Sequence, residues 1–206
     1  MIKVRMVPVG LLAANCFIVY DDARSDAVLI DPGADEDIIM RELDRARLKV
    51  GAILLTHGHF DHCNAVRPFA DMGAKVYMHA SDEIMTRTRL NMSELTGEPF
   101  RPFRPDVLLA DGSVVEECGM SFRTLHTPGH TAGSVCYVTE NKLFTGDTLF
   151  HLGVGRADLP TGDYRMLEHS VRDVLFALTD DYTVYPGHGE LTTLSYEKKH
   201  NMLAEI

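Results

Sequence analysis

Apolar residues in this chain gather in short runs separated by turn residues. Runs of β-branched and apolar residues over 2–9 and 16–20 predict two strands. The stretch AVLIDPG (27–33) predicts a buried strand closed by a Pro-Gly turn. An acidic first turn, with Ile39, Leu43 and Ala46 on one face, predicts a helix over 35–48. A buried strand over 51–57, a helix over about 62–72, a strand over 75–78 and a helix over about 81–92 follow. Residues 93–105 carry three prolines and no period, and read as a loop. Strands return near 107–109, 120–126, 134–139 and 142–146. The clearest helix covers 163–178, with Asp163 as its cap and Tyr164, Leu167, Val171, Val174, Leu175 and Leu178 as one apolar stripe. A strand at 183–185 and a helix over about 193–204 finish the chain.

Strands and helices alternate in both halves, and each half starts with hairpin character. That order predicts an α/β fold: two β-rich halves with helices outside, a layered sandwich. No linker divides it, so residues 1–206 read as a single domain. Composition narrows the function classes. The net charge of −10 argues against a nucleic-acid surface, which needs clustered Lys and Arg, but leaves room for a small anionic substrate. No signal-peptide core opens the chain, and the best apolar run, VGLLAANCFIVY, is broken by Asn15, so no membrane segment is expected. Cys16, Cys63, Cys118 and Cys136 form no CxxC pair and read as free thiols of a cytoplasmic protein.

The chemistry concentrates in LLTHGHFDHC (54–63), where His57, His59, Asp61 and His62 crowd six positions after an apolar run. A single histidine there would read as a hydrogen-bonded core or surface residue. Three at a strand-to-helix turn read as ligands. His57 and His59, at i and i+2, point one way if the strand continues through them, and Gly58 would allow a tight turn between them. Asp61 and His62 face a neighbouring place. Three more strand ends deliver polar residues: His130 after Pro-Gly, Asp147 in GDTLF, and His188 between glycines. Together they offer His57, His59 and His130 to one ion and Asp61, His62 and His188 to another, with Asp147 able to bridge. Such nitrogen and carboxylate sets suit Zn, Fe or Mn, and two ions sharing a hydroxide make a hydrolytic site. His126 reads as a possible support for these ligands; His79, His151, His169 and His200 read as surface or structural residues, and Cys63 as a small buried hydrophobe.

THGHFDH (56–62), TPGHT (127–131), GDTLF (146–150) and PGHG (186–189), with the early Asn15-Cys16 pair and IDPG (30–33), resemble in order the motifs of the metallo-β-lactamase superfamily. The stretch GDTLFHLGVGRADLP (146–160), with Asp61 and Asp147 both present, is most similar to its glyoxalase II branch, the hydroxyacylglutathione hydrolases. The resemblance implies a four-layered αβ/βα sandwich with the site at the sheet edges, and two divalent ions held as above with Asp147 bridging. Full-length glyoxalase II carries a C-terminal helical domain that helps hold glutathione. Only 18 residues follow His188, so the chain is similar to the short, single-domain form that lacks it.

The implied reaction is hydrolysis of a thioester such as S-D-lactoylglutathione by a metal-bound hydroxide, with Asp61 and Asp147 as catalytic carboxylates and a small-molecule thioester, a glutathione conjugate, as partner. No serine or cysteine nucleophile is needed, and Ser134 and Cys136 read as packing residues. Arg156 matches a basic glutathione-contacting position; a structural Arg paired with Asp158 or Asp163 is the competing reading. Arg101 and Arg104, between Phe100 and Phe103 on the proline-stiffened loop, are candidates to cover an anionic thiol conjugate; ordinary surface arginines on an exposed loop are the competing and safer reading. The segment Gly155-Arg156-Ala157-Asp158 also resembles the persulfide dioxygenases, which hold one iron through the positions of His57, His130 or His59, and Asp147. A mononuclear iron dioxygenase acting on glutathione persulfide is therefore the runner-up. A lactonase or other hydrolase on the same scaffold is the third reading.

Overall fold

A computed structural model describes residues 1–97 and 99–204. The first half builds β1 (Ile2–Val9), β2 (Ala14–Asp21), β3 (Asp26–Ile30), α1 (Glu36–Ala46), β4 (Lys49–Leu54), α2 (Phe60–Cys63), α3 (Val66–Asp71), β5 (Lys75–His79) and β6 (Val107–Leu109). The second half builds β7 (Val114–Glu117), β8 (Met120–His126), β9 (Val135–Thr139), β10 (Lys142–Gly146), β11 (Leu149–Phe150), β12 (Gly153–Val154), α4 (Tyr164–His169), β13 (Thr183–Pro186), β14 (Thr192–Thr193) and α5 (Leu194–His200). Six strands in the order β1-β2-β3-β4-β5-β6 form one sheet, and β14-β13-β10-β9-β8-β7 form the other. In each half, antiparallel pairing gives way to parallel pairing, at β3/β4 and at β10/β13.

Period-2 alternation sorts the side chains into layers. Phe17, Val19, Val28, Ile30, Ala52 and Leu54 face inward and meet Phe122, Val135, Tyr137 and Phe144 of the second sheet. Their strand neighbours Cys16, Ile18, Leu29 and Ile53 face outward and pack under Ile39 and Leu43 of α1 and Phe69 of α3. On the far side, Cys136, Val138, Leu143 and Val184 pack under Val171, Leu175 and Leu194. The expected four-layered αβ/βα sandwich is the observed fold. All four cysteines are free and buried. Among the described residues no helix is long and apolar enough to cross a membrane.

Several elements differ from expectation for local reasons. The predicted 62–72 helix is two short pieces, because Pro68 has no N–H to offer the carbonyl of Asn64. The 81–92 segment is 3₁₀ rather than α: Ala80–Arg87 and Arg89–Asn91. Thr86 and Thr88 donate their hydroxyls back to the carbonyls of Glu83 and Ile84, which competes with regular helix. Residues 93–105 hold one further 3₁₀ turn, Ser93–Leu95, before the loop, and Glu98 lies outside the described residues. The 163–178 helix is capped by Asp163 as expected but passes into π-helical turns over Ser170–Leu175. Tyr164 is half exposed and outside its apolar stripe.

Candidate metal centre

β4 ends at Leu54, so His57 and His59 sit in a loop and not in the strand that was expected to align them. Two buried carboxylates hold that loop instead. Asp31, at the end of β3, accepts from the Thr56 backbone N–H at 2.8 Å and from the Thr56 hydroxyl at 2.6 Å. Asp82 accepts from Gly58 N–H at 3.0 Å, and also from Gly133 N–H at 2.7 Å and Thr131 Oγ1 at 2.6 Å, tying the His57 loop to the His130 loop. Gly58 is required by packing and not by a tight turn, since a Cβ there would stand 2.7 Å from Cβ of Met85.

The remaining ligand candidates come from other elements. Asp61 and His62 lie on α2, His130 in the β8–β9 connection, Asp147 after β10, and His188 after β13. Asn15 holds the last loop by donating Nδ2 to the carbonyls of Pro186 and Gly189 at 2.9 and 3.0 Å. The constellation thus gathers at loops that follow strand ends, where open α/β sheets place their ligands.

Hydrogen bonds orient the imidazoles one by one. Thr56 donates its hydroxyl to Asp31, so its oxygen accepts from His57 Nδ1 at 3.0 Å. His62 Nδ1 donates to Asp31 at 3.0 Å, His130 Nδ1 to the Arg156 carbonyl at 2.7 Å, and His188 Nδ1 to the Leu12 carbonyl at 3.2 Å. In four rings Nε2 is therefore the nitrogen left to face inward. His62 Nε2 stands 3.2 Å from His188 Nε2, and His130 Nε2 stands 2.9 Å from His59 Nδ1. His57 Nε2 is buried with no hydrogen-bond partner. A proton shared between two rings can sit at these separations as a metal ion can; the unpartnered His57 Nε2 and the donor atoms converging on it are what fit a divalent metal.

Donor atoms of His57, His59 and His130 lie within 4.8 Å of one another, as do those of Asp61, His62 and His188. Asp147 touches both groups: Oδ2 is 3.5 Å from His130 Nε2, and Oδ1 is 3.3 Å from His62 Nε2. A third grouping, Asp31 with His57 and His62, differs in kind, because the Asp31 oxygens are already occupied by N–H and O–H donors. Burial, then the neighbouring imidazoles His62, His130 and His59, push the His57 pKa well below its ordinary value. Burial and His130 lower His59 to about 3. Burial also works against charge on His62, but Asp61, Asp147 and Asp31 outweigh it and raise that ring to about 10. Burial opposes ionisation of Asp61, yet His62 and His188 hold its carboxyl well below the usual carboxylate range. The carboxylates around His62 thus keep a positive charge in place.

A cavity of about 240 Å³ opens above these groups, lined at its floor by His59, Asp61, His130, Asp147 and His188. Arg156 lines it too, with its guanidinium forked onto Asp158 at 2.7 Å on both arms. Arg101 and Arg104 do not. Arg101 pairs with Glu36 at 2.7 Å and lines a neighbouring cavity with Asn64, while Arg104 lines another beside Arg67 and Lys75. The expected cover of the site by both arginines is corrected accordingly: the loop directs them to the surface above α1 and α3. His126 also departs from expectation, stacking on His79 at 4.0 Å and bonding the Ala132 carbonyl. Cys63 is buried and donates to the His59 carbonyl, and burial holds the Cys136 thiol up at about 12.

Fold and site together define a metallohydrolase-type sandwich. The chain belongs to the metallo-beta-lactamase superfamily, whose family model matches residues 9–188. It is 33% identical over 205 residues to hydroxyacylglutathione hydrolase GloC of Haemophilus influenzae, covering 97% of this chain and 96% of that one. Among solved structures it is similar to BLEG-1 B3 metallo-beta-lactamase, at 38% identity and a TM-score of 0.92 with 98% of each chain covered. It is also similar to TTHA1623 in a di-iron-bound form, at 33% identity and a TM-score of 0.86, covering 96% of this chain and 98% of that one.

Proposed function

We propose that this protein is a metal-dependent thioester hydrolase of the hydroxyacylglutathione hydrolase type, with S-D-lactoylglutathione as the first substrate to try. The observation that carries it is the Asp147 carboxylate, set between His130 at 3.5 Å and His62 at 3.3 Å so that two groups of ligands share it. His57, His59, His130 and Asp147 would hold one divalent ion, and Asp61, His62, His188 and Asp147 the other. When bound, the pair would supply Lewis acidity toward a carbonyl oxygen and an acidified water near neutral pH.

The residues of the chain do the rest. Asp31 and the Arg156 carbonyl each hold a proton on Nδ1, of His62 and His130 respectively, which aims Nε2 of both rings at the cluster. Asp61 and Asp147, at the floor of the cavity, present carboxylate oxygens that orient an attacking water and accept its proton. The water oxygen bonds to the carbonyl carbon, the C–S bond breaks, and the electron pair leaves on sulfur. A thiolate needs no strong acid to depart, and no general acid is assigned.

The reading is supported by the GloC relative and by the di-iron neighbour. It is tested by quantifying metal in the purified protein and running a thioester panel on the same sample. Two ions per chain with thioester cleavage are expected. A single iron with oxygen uptake on adding glutathione persulfide would replace it with the dioxygenase, and lactone opening without thioester cleavage would replace it with a lactonase.

A further inference from the structure

The cavity above the ligand cluster has walls of a different character from its floor. Leu12, Phe60, Met92, Leu95, Phe150 and Leu159 form them. Its cationic wall residue among the described ones is Arg156, and that guanidinium already engages Asp158 through Nε and Nη2. Arg101 and Arg104 belong to other cavities. The cavity thus offers a glutathione carboxylate a single arginine already paired with Asp158, whereas its walls match hydrocarbon. Leu12 and Leu95 are exposed, at 49% and 66%, which leaves apolar area waiting at the mouth.

We propose that the acyl arm of the substrate is a short apolar chain lying against these walls, with the thiol arm extending out of the mouth into solvent. This rests on the reading of the site as a thioester hydrolase. The volume limits the chain. A dry cavity of about 150 Å³ accepts a benzene ring. In about 240 Å³, after space for the carbonyl and the attacking water, there is room for an acyl group of about four to six carbons. Each methylene that enters the walls should raise kcat/KM about fourfold, the ratio that corresponds to about 0.8 kcal/mol per buried methylene.

The test is a series of lactoyl, propanoyl, butanoyl and hexanoyl thioesters of glutathione and of uncharged N-acetylcysteamine, on metal-quantified protein. Each rate is divided by that thioester's own hydroxide-catalysed rate. The expected result is a rise of about fourfold per methylene to hexanoyl, lactoyl below butanoyl, and little change between the two thiols. The double variant Leu12→Ser/Leu95→Ser, at exposed positions, should flatten the slope. A second readout needs no turnover: S-propyl-, S-butyl- and S-hexylglutathione titrated calorimetrically into the metal-free chain should bind with Kd falling by the same factor per methylene. A flat series, a preference for lactoyl over butanoyl, or a large loss on removing glutathione overturns the apolar-acyl assignment and leaves the hydrolase standing. Failure to cleave any thioester with two ions loaded overturns both.

Discussion

Asp31→Asn isolates the part of the site that touches no substrate. Asp31 is buried and receives three donors on two oxygens: Thr56 N–H on Oδ1, Thr56 Oγ1 and His62 Nδ1 on Oδ2. Its φ of +52° is one that asparagine tolerates about as well as aspartate, so the backbone is not the issue. The amide retains one acceptor and puts an NH₂ where Oδ2 stood. Two hydrogen bonds to a buried charged group are worth about 1.5–3 kcal/mol each, and the Thr56 hydroxyl can turn to recover part of one. A stability loss of about 2–4 kcal/mol is therefore expected. The amide also donates toward His62 Nδ1, which drives the ring proton to Nε2, the atom that faces His188 and Asp147. Affinity for the ion at Asp61, His62 and His188 should fall about 10–100-fold, as such supporting contacts typically do. Urea unfolding of the metal-free chain reads the first effect, and competition with a chelator reads the second. Unchanged midpoint and unchanged affinity together would refute the assignment of Asp31 as the residue that sets the His62 tautomer.

Gly187→Ala should weaken the same ion by about tenfold or more, because the added methyl runs into Asp147 Oδ1 and stands 2.8 Å from His62 Cε1; an unaltered metal titration would contradict that packing. Arg101→Ala/Arg104→Ala should leave KM for a glutathione thioester unchanged within about twofold, and a clear rise would return both arginines to the substrate. His79, buried and stacked on His126 with Asp111 near, has its pKa pushed down to about 4, by burial first and then by His126. The folded chain keeps this ring neutral while the unfolded chain protonates it near 6.5, so its contribution is fully present above pH 6.5 and is lost as pH falls toward 4, up to about 3 kcal/mol. His79→Asn keeps an acceptor for Ser81 N–H and should lose that slope; a stability difference from the parent that is flat between pH 4 and 7 would sink the idea.

The architecture was legible because burial on both sheet faces writes itself into short apolar runs, and alternation within β2, β3 and β9 then sorts the layers. Helix type was less legible. Periodicity alone cannot see that Thr86 and Thr88 bond backward or that Pro68 withholds a donor, so the 62–72 and 81–92 segments read as ordinary helices. His57, His59, Asp61, His62, His130, Asp147 and His188 could be proposed as a group from residue type at strand ends. The reason the first pair converges could not: the strand stops at Leu54, and it is Asp31 and Asp82 that hold the loop.

Those two carboxylates show where reading along the chain runs out. Asp31 at least stands conspicuously, a charge closing the apolar run of β3 before Pro-Gly. Asp82 sits in an unremarkable polar stretch, ASDEIMTR, 24 residues from Gly58 and 51 from Gly133, yet it accepts hydrogen bonds from both and from Thr131 while fully buried. A residue whose role is to join two distant loops has no local signal, because each donor it serves is a backbone or hydroxyl group that every sequence contains. Ligands reveal themselves by being chemically rare where they stand; the groups that aim them are chemically ordinary and become visible only when the chain closes on itself. For this protein the aim depends on that second set, since the loops bearing His57, His59 and His130 are bound together through Asp82 and the tautomer of His62 is set by Asp31.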